Sequence, residues 1–147
     1  MIKYNIAFQN PHKHFIDFKL KTSTNGEEKI YFQLPAWRPG RYELGNFSQN
    51  IYNWRAADNN GNLLSFKKIN KDKWEVECKE IKEISISYSF YANQLDAGSC
   101  YLDEKQLYIN PVHCIFYIPE RIDEEYEINL DTVSYTHLRA HETKANL

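Results

Sequence analysis

Apolar and polar residues alternate with a period of two along most of the chain, which predicts β-strands. The first three such segments have apolar or aromatic inward positions: Tyr4, Ile6 and Phe8; Ile16, Phe18 and Leu20; and Ile30, Phe32 and Leu34. Asn25 and Gly26 separate the second segment from the third. Because both residue types tolerate a positive φ angle, this pair predicts a hairpin turn between those strands.

The same period resumes after residue 50, and no segment shows a 3.6-residue apolar repeat. The inward positions there are Tyr52, Trp54 and Ala56; Leu64 and Phe66; Trp74, Val76 and Cys78; Ile84, Ile86, Tyr88 and Phe90; and Tyr126, Ile128 and Leu130. The more continuous apolar run at 107–118 predicts a strand buried on both faces, with a bulge at Asn110-Pro111. The pattern predicts an all-β fold, an antiparallel β-sandwich of about nine short strands. Two long loops are expected, at 35–50 and 93–105.

Composition agrees with a single β-rich domain and argues against nucleic acid as a partner. The chain has 147 residues, and its 11 Tyr, 8 Phe and 3 Trp make up 15% of it. Aromatic side chains favour pleated, half-buried surfaces. The formal net charge is −2 and the isoelectric point is near 6.2. That balance argues against a nucleic-acid partner, which usually requires a basic surface.

The cysteines and the apolar stretches predict a cytoplasmic protein. Cys78, Cys100 and Cys114 cannot all pair, and their spacing matches no zinc or redox motif. We therefore expect three buried thiols in a reducing compartment. No stretch approaches the roughly 18 apolar residues of a membrane helix, and the first residues lack a secretory signal. A membrane partner is not expected.

The last fifteen residues, 133–147, differ in character from the rest. They begin VSYTHLRAHET and neither alternate nor continue the preceding strand. This stretch of sequence resembles a translated DNA-sequencing adapter. We therefore expect a domain at 1–132 followed by a non-native, loosely attached tail. His137, His141 and Glu142 superficially suggest a zinc helix. Their order is not H-E-x-x-H, because residue 145 is Ala, and no metal site is expected there.

The most specific motif is the loop LPAWRPGRYEL at 34–44, which is followed by Asn46-Phe47. It resembles the N-terminal domain of glycyl aminopeptidases, which are thermolysin-like gluzincin zinc metallopeptidases. Their pattern is Leu-Pro, then Ala-Trp-x-Pro-Gly-x-Tyr, then a further aromatic residue. Three other stretches agree with the family in the same order: FQNP at 8–11 with His14, FKK at 66–68 with DKW at 72–74, and YANQLDAG at 91–98 with YL at 101–102. The resemblance covers about 2–130.

The resemblance implies a non-catalytic accessory domain of a larger enzyme. Relatives add a helical zinc domain with H-E-x-x-H and a downstream Glu, and often a PDZ domain. None of those zinc-site positions occurs in this chain. No cofactor and no peptidase activity are therefore expected here, with zinc in the missing catalytic domain. The implied partners are that catalytic domain and the peptide substrate of the full enzyme. The alternative is a free-standing β-sandwich module that binds peptide or carbohydrate.

The first loop carries the strongest candidates for a domain interface or substrate cleft. These are Trp37, Arg38, Pro39, Gly40, Arg41, Tyr42 and Phe47. Large aromatic residues and Arg are enriched at interface hot spots, and Arg binds carboxylates in a bidentate manner. We expect this loop to dock on the catalytic domain near its cleft. In the structural alternative, the aromatic side chains pin the loop to its own sandwich and the arginines pair with Glu43 or with solvent.

The second loop carries weaker candidates. Asp96, Asp103 and Glu104 are carboxylates that would suit recognition of a substrate amine, although ordinary turn chemistry is the favoured explanation for them. His12 and His14 alternate on one face at a spacing that a metal ion would accept. Without nearby Cys or carboxylate ligands, a structural hydrogen bond from His14 is the favoured interpretation.

We predict that removal of residues 133–147 leaves the midpoint of thermal unfolding (Tm) unchanged, because a non-native tail contributes no core contacts. The measurement compares thermal unfolding of the full chain with that of 1–132. A large loss of stability in the shortened chain would show that the tail contains a genuine strand.

Overall fold

The computed structural model describes residues 1–8, 13–35, 47–93, 100–102, 107–109, 114–131 and 143–146. For residues 47, 48, 101, 108 and 143–146 only the backbone is described. Eleven strands occur in these ranges, with 3₁₀ turns at Phe47–Asn50 and Pro119–Arg121. The strands confirm the all-β prediction. The parts of the two predicted long loops at 36–46, 94–99 and 103–105 lie outside the described residues.

The strands form one large sheet, one small sheet and one short pair. In chain order they are β1 (Ile2–Ala7), β2 (Phe15–Ser23), β3 (Lys29–Gln33), β4 (Ile51–Asp58), β5 (Phe66–Asn70), β6 (Lys73–Glu77), β7 (Glu83–Tyr91), β8 (Tyr101–Leu102), β9 (Leu107–Tyr108), β10 (Glu125–Leu130) and β11 (Thr143–Asn146). The large sheet has the order β11-β10-β1-β2-β7-β4, and the small sheet has the order β3-β6-β5. Strands β8 and β9 pair with each other.

The two sheets pack face to face around one aromatic core, which confirms the sandwich. Trp54 of the large sheet stacks on Trp74 of the small sheet, with ring centroids 5.4 Å apart. Phe116 packs edge-on against both Trp74, at 5.2 Å, and Tyr88, at 4.9 Å. Aromatic pairs in these geometries add to the free energy gained from burial alone.

Tyrosine hydroxyl groups hold an irregular segment, 114–118, across this core. The Tyr4 hydroxyl accepts a hydrogen bond from the Phe116 amide at 2.8 Å and donates to the Phe116 carbonyl at 3.2 Å. Tyr126 donates to the same carbonyl at 3.3 Å, and Tyr88 donates to the Cys114 carbonyl. Buried backbone polar groups need such partners, and here side chains from the large sheet supply them.

The pairing of the strands differs from the sequence predictions in two places. Strands β1 and β10 run parallel, so the sandwich is not entirely antiparallel as predicted. Asn25 and Gly26 do have positive φ angles, 52° and 78°. The turn nevertheless joins β2 of the large sheet to β3 of the small sheet, so the predicted hairpin is wrong. The turn chemistry sets the local backbone, whereas strand partners are selected by packing of the whole core.

Strand β4 contains a bulge that reverses the expected direction of one side chain. Tyr52 pairs with Ser89 and Arg55 pairs with Ser87, so one extra residue lies on β4 between these positions. Asn53 takes up the irregularity with a φ of 56°. Tyr52 was predicted to point inward with Trp54, but it is 47% exposed on the outer face. A single inserted residue has this effect because side chains alternate faces.

The predicted strand at 107–118 is shorter than expected in its described part. There, β9 has two residues, and Tyr117 forms an isolated bridge with Gln33 of β3.

The backbone of Thr143–Asn146 pairs antiparallel with β10, from Glu125↔Asn146 to Ile128↔Thr143. The domain boundary at 132 and the non-native origin of 133–147 stay predictions. This pairing gives the truncation experiment a defined contact to test.

We predict that Tyr4→Phe lowers the free energy of unfolding by about 1–3 kcal/mol, because it leaves the buried Phe116 amide without an acceptor. Tyr126→Phe is the matched control and should cost less, since the Phe116 carbonyl keeps its bond from Tyr4. Urea unfolding of the two variants measures the difference. Equal losses would contradict the role given to Tyr4.

Candidate functional site

The sandwich has two ends of different character. At one end, which we call the turn end, Ser23 pairs with Glu83 and Asp58 pairs with Ile84, and short turns at 24–28 and 59–62 connect the strands. At the other end, the loop end, Phe15 pairs with Tyr91. Strands β1, β7 and β10 finish at the loop end, and β2 begins there. In the sequence, these strands are followed or preceded by residues 9–12, 94–99 and 132–142. The chain also re-enters the large sheet at this end after 36–46.

Short hydrogen bonds bring the segments that border the loop end together. The Ala92 amide donates to the His14 carbonyl at 2.6 Å, and the Leu102 amide donates to the Ala92 carbonyl at 3.0 Å. The His14 Nδ1 atom lies 2.5 Å from the Leu102 carbonyl. His14 therefore makes the structural hydrogen bond favoured by the sequence. This contact connects the start of β2 to β8. The weaker candidates, Asp96, Asp103 and Glu104, lie before and after β8 in the sequence.

The sequence-predicted site residues fall mostly outside the described part of the chain. Those outside it are Trp37, Arg38, Pro39, Gly40, Arg41, Tyr42, Asp96, Asp103, Glu104 and also His12. The backbone of Phe47 is described and begins the 3₁₀ turn before β4. Asn93 and Leu102 border the second candidate loop, and Ile51 directly follows the first; all three lie near the loop end. The interface role of these candidates stays a prediction.

An exposed aromatic cluster lies on the outer face of the large sheet at the loop end. Phe15 contacts Tyr52 edge-on at 5.6 Å and Tyr91 at 5.2 Å between ring centroids. The three side chains are 36%, 47% and 36% exposed. The Asn93 side chain donates through Nδ2 to the Tyr91 hydroxyl at 3.0 Å. Three large rings side by side in contact with solvent form the kind of surface that binds other protein surfaces.

Sequence reasoning missed this aromatic cluster, although part of the signal was present. Phe15 and Tyr91 occupy positions of the outward series of β2 and β7, where the other members are Asp, Lys, Ser and Glu. An aromatic residue at the end of a polar series marks an exposed ring. Tyr52 gave no such signal, because only the bulge at Asn53 places it on the outer face.

A buried carboxylate lies close to the start of the first candidate loop. Asp72 is 6% exposed, and its carbonyl accepts hydrogen bonds from the Leu34 amide at 2.8 Å and from Gln33 Nε2 at 3.2 Å. Its Oδ1 atom has no hydrogen-bond partner in the described part of the chain. A buried acceptor without a donor is costly. Asp72 is thus a buried carboxylate, bonded through its backbone to Leu34, whose Oδ1 atom could receive a cationic group.

The described residues provide no metal centre. No group of three or more His, Cys, Asp or Glu side chains lies close enough to hold a metal ion among them. The resemblance implies zinc held by His and Glu from another domain, so the donor set described here does not fit that ion. In the same ranges, no helix is long and apolar enough to cross a membrane.

The largest pKa shifts belong to groups that support the fold. Burial raises the pKa of Tyr4 and Tyr88 well above the usual range and that of Tyr126 to about 12. These tyrosines therefore stay protonated and can donate. At the turn end, hydrogen bonds from Arg121 lower the pKa of Glu124 to about 2.

The Glu124 carboxylate is the centre of a charged cluster at the turn end. Arg121 approaches it through two nitrogens at 2.6 and 2.7 Å, and the Met1 ammonium group lies 2.7 Å away. Arg121 also donates to the Ser23 carbonyl and the Thr22 hydroxyl, each at 2.8 Å. This cluster joins the beginnings of β1 and β10 to the end of β2. It therefore stabilises the parallel pair of β1 and β10 at the turn end.

Comparison with known proteins identifies the family. The model of the peptidase M61 N-terminal domain matches residues 3–144. The chain therefore belongs to the peptidase M61 N-terminal domain family. The match includes most of the predicted non-native tail, whose origin stays a prediction. No curated protein sequence matches significantly.

The chain is similar to parts of two solved structures. An aminopeptidase N family protein from Idiomarina loihiensis is 29% identical, with a TM-score of 0.82, over 89% of this chain. An M1 zinc metallopeptidase from Deinococcus radiodurans is 13% identical over 88% of this chain, with a TM-score of 0.44. The chain spans 22% of the first protein and 30% of the second.

We predict that Glu124→Gln lowers the free energy of unfolding by about 1–2 kcal/mol at pH 7, because the depressed pKa reports stabilisation of the charged form. The native pKa lies below the unfolded value of about 4.3. The stabilisation is therefore complete above pH ~5 and declines as the pH falls from there towards 2. The difference between wild type and variant should shrink over that window in denaturant unfolding. Glu125→Gln, at the exposed neighbouring position, is the control and should show little change at any pH.

Proposed function

We propose that this chain is the non-catalytic N-terminal accessory domain of a zinc-dependent aminopeptidase of the glycyl aminopeptidase type. It docks on the catalytic domain of the same polypeptide and helps to shape the cleft that receives the peptide substrate. The loop end is the docking region, with Trp37, Tyr42 and Phe47 as its aromatic anchors. The site of action of the parent enzyme is the cytoplasm.

The observation that carries the proposal is the family match over residues 3–144. It is supported by the similarity to the Idiomarina protein, in which a domain of this kind makes up 22% of a much longer chain. Membership in a peptidase N-terminal domain family favours an accessory role over the free-standing binding module.

The geometry of the loop end supports docking there. The rings of Phe15, Tyr52 and Tyr91 give this end an exposed aromatic surface. The 3₁₀ turn at Phe47–Asn50 runs directly into β4, one residue before Tyr52, so the first candidate loop rejoins the sheet beside this cluster. A partner that contacts the loop would therefore contact the cluster as well. Large aromatic side chains supply much of the free energy of such interfaces.

Zinc enters the proposal only through the catalytic domain. When bound there, it supplies an activated water for peptide hydrolysis. The residues of this chain contribute by binding and positioning. Arg38 and Arg41 are suited to carboxylate groups of a partner or peptide, and Asp96, Asp103 and Glu104 are suited to a substrate amine.

We predict that Trp37→Ala in the full-length parent enzyme weakens docking of the domain by about 2 kcal/mol, a typical hot-spot value. The same change should lower kcat/KM for aminopeptidase substrates while zinc content stays unchanged. Tyr52→Ala should act in the same direction, and Arg41→Ala tests the polar part of the interface. Steady-state kinetics, metal analysis and thermal unfolding are measured together.

Leu63→Ala is the matched control for these variants. Leu63 is 74% exposed and lies at the turn end, so its removal should leave kinetics and unfolding unchanged. If Trp37→Ala changes neither kinetics nor unfolding, the first loop is not an interface. If it lowers stability of the isolated domain without affecting kinetics, the loop closes its own sandwich.

A further inference from the structure

Two of the three cysteines lie side by side in the core. Cys100 and Cys114 are 1% and 0% exposed, and their Sγ atoms are 3.8 Å apart, with the Cys100 thiol donating to the Cys114 sulfur. All three cysteines are present as thiols, as expected from the sequence. Nothing in the spacing of the cysteines had indicated that two of them meet.

The backbone holds both members of this pair in defined positions. Cys100 directly precedes β8, whose Leu102 amide donates to the Ala92 carbonyl at 3.0 Å. Cys114 begins the segment held by the core tyrosines, and its carbonyl accepts from Tyr88. A disulfide requires an S–S distance of about 2.05 Å, so the two sulfur atoms must approach by less than 2 Å. Side-chain rotation supplies a movement of that size.

Cys78 provides an internal comparison. It is equally buried, but it follows β6 at the turn end, where its thiol donates to the Glu27 carbonyl at 3.2 Å. The Cys100 and Cys114 pair lies among the strands that lead to the loop end. Cys78 therefore shares burial with the pair but has neither cysteine as a neighbour. Any effect of burial alone should appear at all three positions.

We propose that Cys100 and Cys114 form an intramolecular disulfide when the protein is exposed to a small-molecule disulfide such as oxidised glutathione. One cysteine thiolate attacks a sulfur of the oxidant, which forms a mixed disulfide and releases one glutathione thiolate. The second cysteine thiolate then attacks the protein sulfur of the mixed disulfide and releases the second glutathione thiolate. The protein loses two electrons and two protons, and one oxidised glutathione becomes two reduced molecules.

The crosslink would tie the β8–β9 pair to the tyrosine-held segment. It closes a ring from residue 100 to residue 114, which contains two of the three weaker loop candidates, Asp103 and Glu104. Restricting such a ring in the unfolded chain stabilises the folded state. Burial raises the pKa of the Cys114 thiol, so exchange requires transient opening of this region. The reaction is therefore expected to be slow in the folded protein and to lead to a protected product.

The test is incubation of the purified chain with mixtures of oxidised and reduced glutathione, followed by alkylation under denaturing conditions and mass spectrometry. We expect oxidised protein in which two thiols resist alkylation and Cys78 is alkylated, with a peptide crosslink between Cys100 and Cys114. The oxidised form should unfold about 5–10 °C higher than the reduced form. Reduction with dithiothreitol should reverse both changes.

Variants separate this pair from nonspecific oxidation. Cys78→Ser should retain the crosslink and the rise in Tm, whereas Cys100→Ser and Cys114→Ser should lose both. Persistent single glutathione adducts, a crosslink that includes Cys78, or three alkylated thiols at every redox ratio would overturn the proposal. Peptide mapping of the wild-type chain decides the matter even if one Ser variant fails to fold.

Discussion

The Tyr4 hydroxyl and the backbone of Phe116 form the contact on which much of this domain depends. The segment 114–118 crosses the core with one backbone bridge, at Tyr117, so the Phe116 amide and carbonyl rely on side-chain partners. Phenol groups solve this problem because each combines a large apolar ring with one polar atom. Phe116, fixed in this way, fills the space between Trp74 and Tyr88 and links the two sheets.

The direction of the strands then divides the domain into two unlike ends. Strands β1, β7 and β10 all finish at the loop end, and β2 and β4 begin there, so the longer connections gather on one side. The opposite end is closed by short turns and by the bidentate contact of Arg121 with Glu124. A rigid sheet with longer connections at one end is a common arrangement for recognition, because loops vary without disturbing the core.

The family membership gives this arrangement a context. A domain that accompanies a peptidase needs a stable body and a surface for its neighbour. The exposed rings of Phe15, Tyr52 and Tyr91 lie at the end to which both motif-bearing loops belong. The cysteine pair lies in described segments next in sequence to the second of these loops, so a crosslink there would restrict the loop end without touching the turn end.

The sequence by itself determined the fold class, the faces of most strands and the family. Period-two alternation is a local property, so residues such as Phe18, Ile86 and Val76 were placed inward without knowledge of any partner. The loop motif at 34–44 identified the family because its residues follow the family pattern in type and order. The backbone at Asn25-Gly26 was also predictable, since both residues tolerate positive φ.

Only the tertiary structure decided which strands pair and which side chains meet. The parallel pairing of β1 with β10, the change of sheet after Gly26 and the outward turn of Tyr52 depend on contacts between residues far apart in sequence. The meeting of Cys100 with Cys114 and of Tyr4 with Phe116 has the same origin. Such contacts are selected by the free energy of the whole core, and a local pattern of polar and apolar residues does not contain that information.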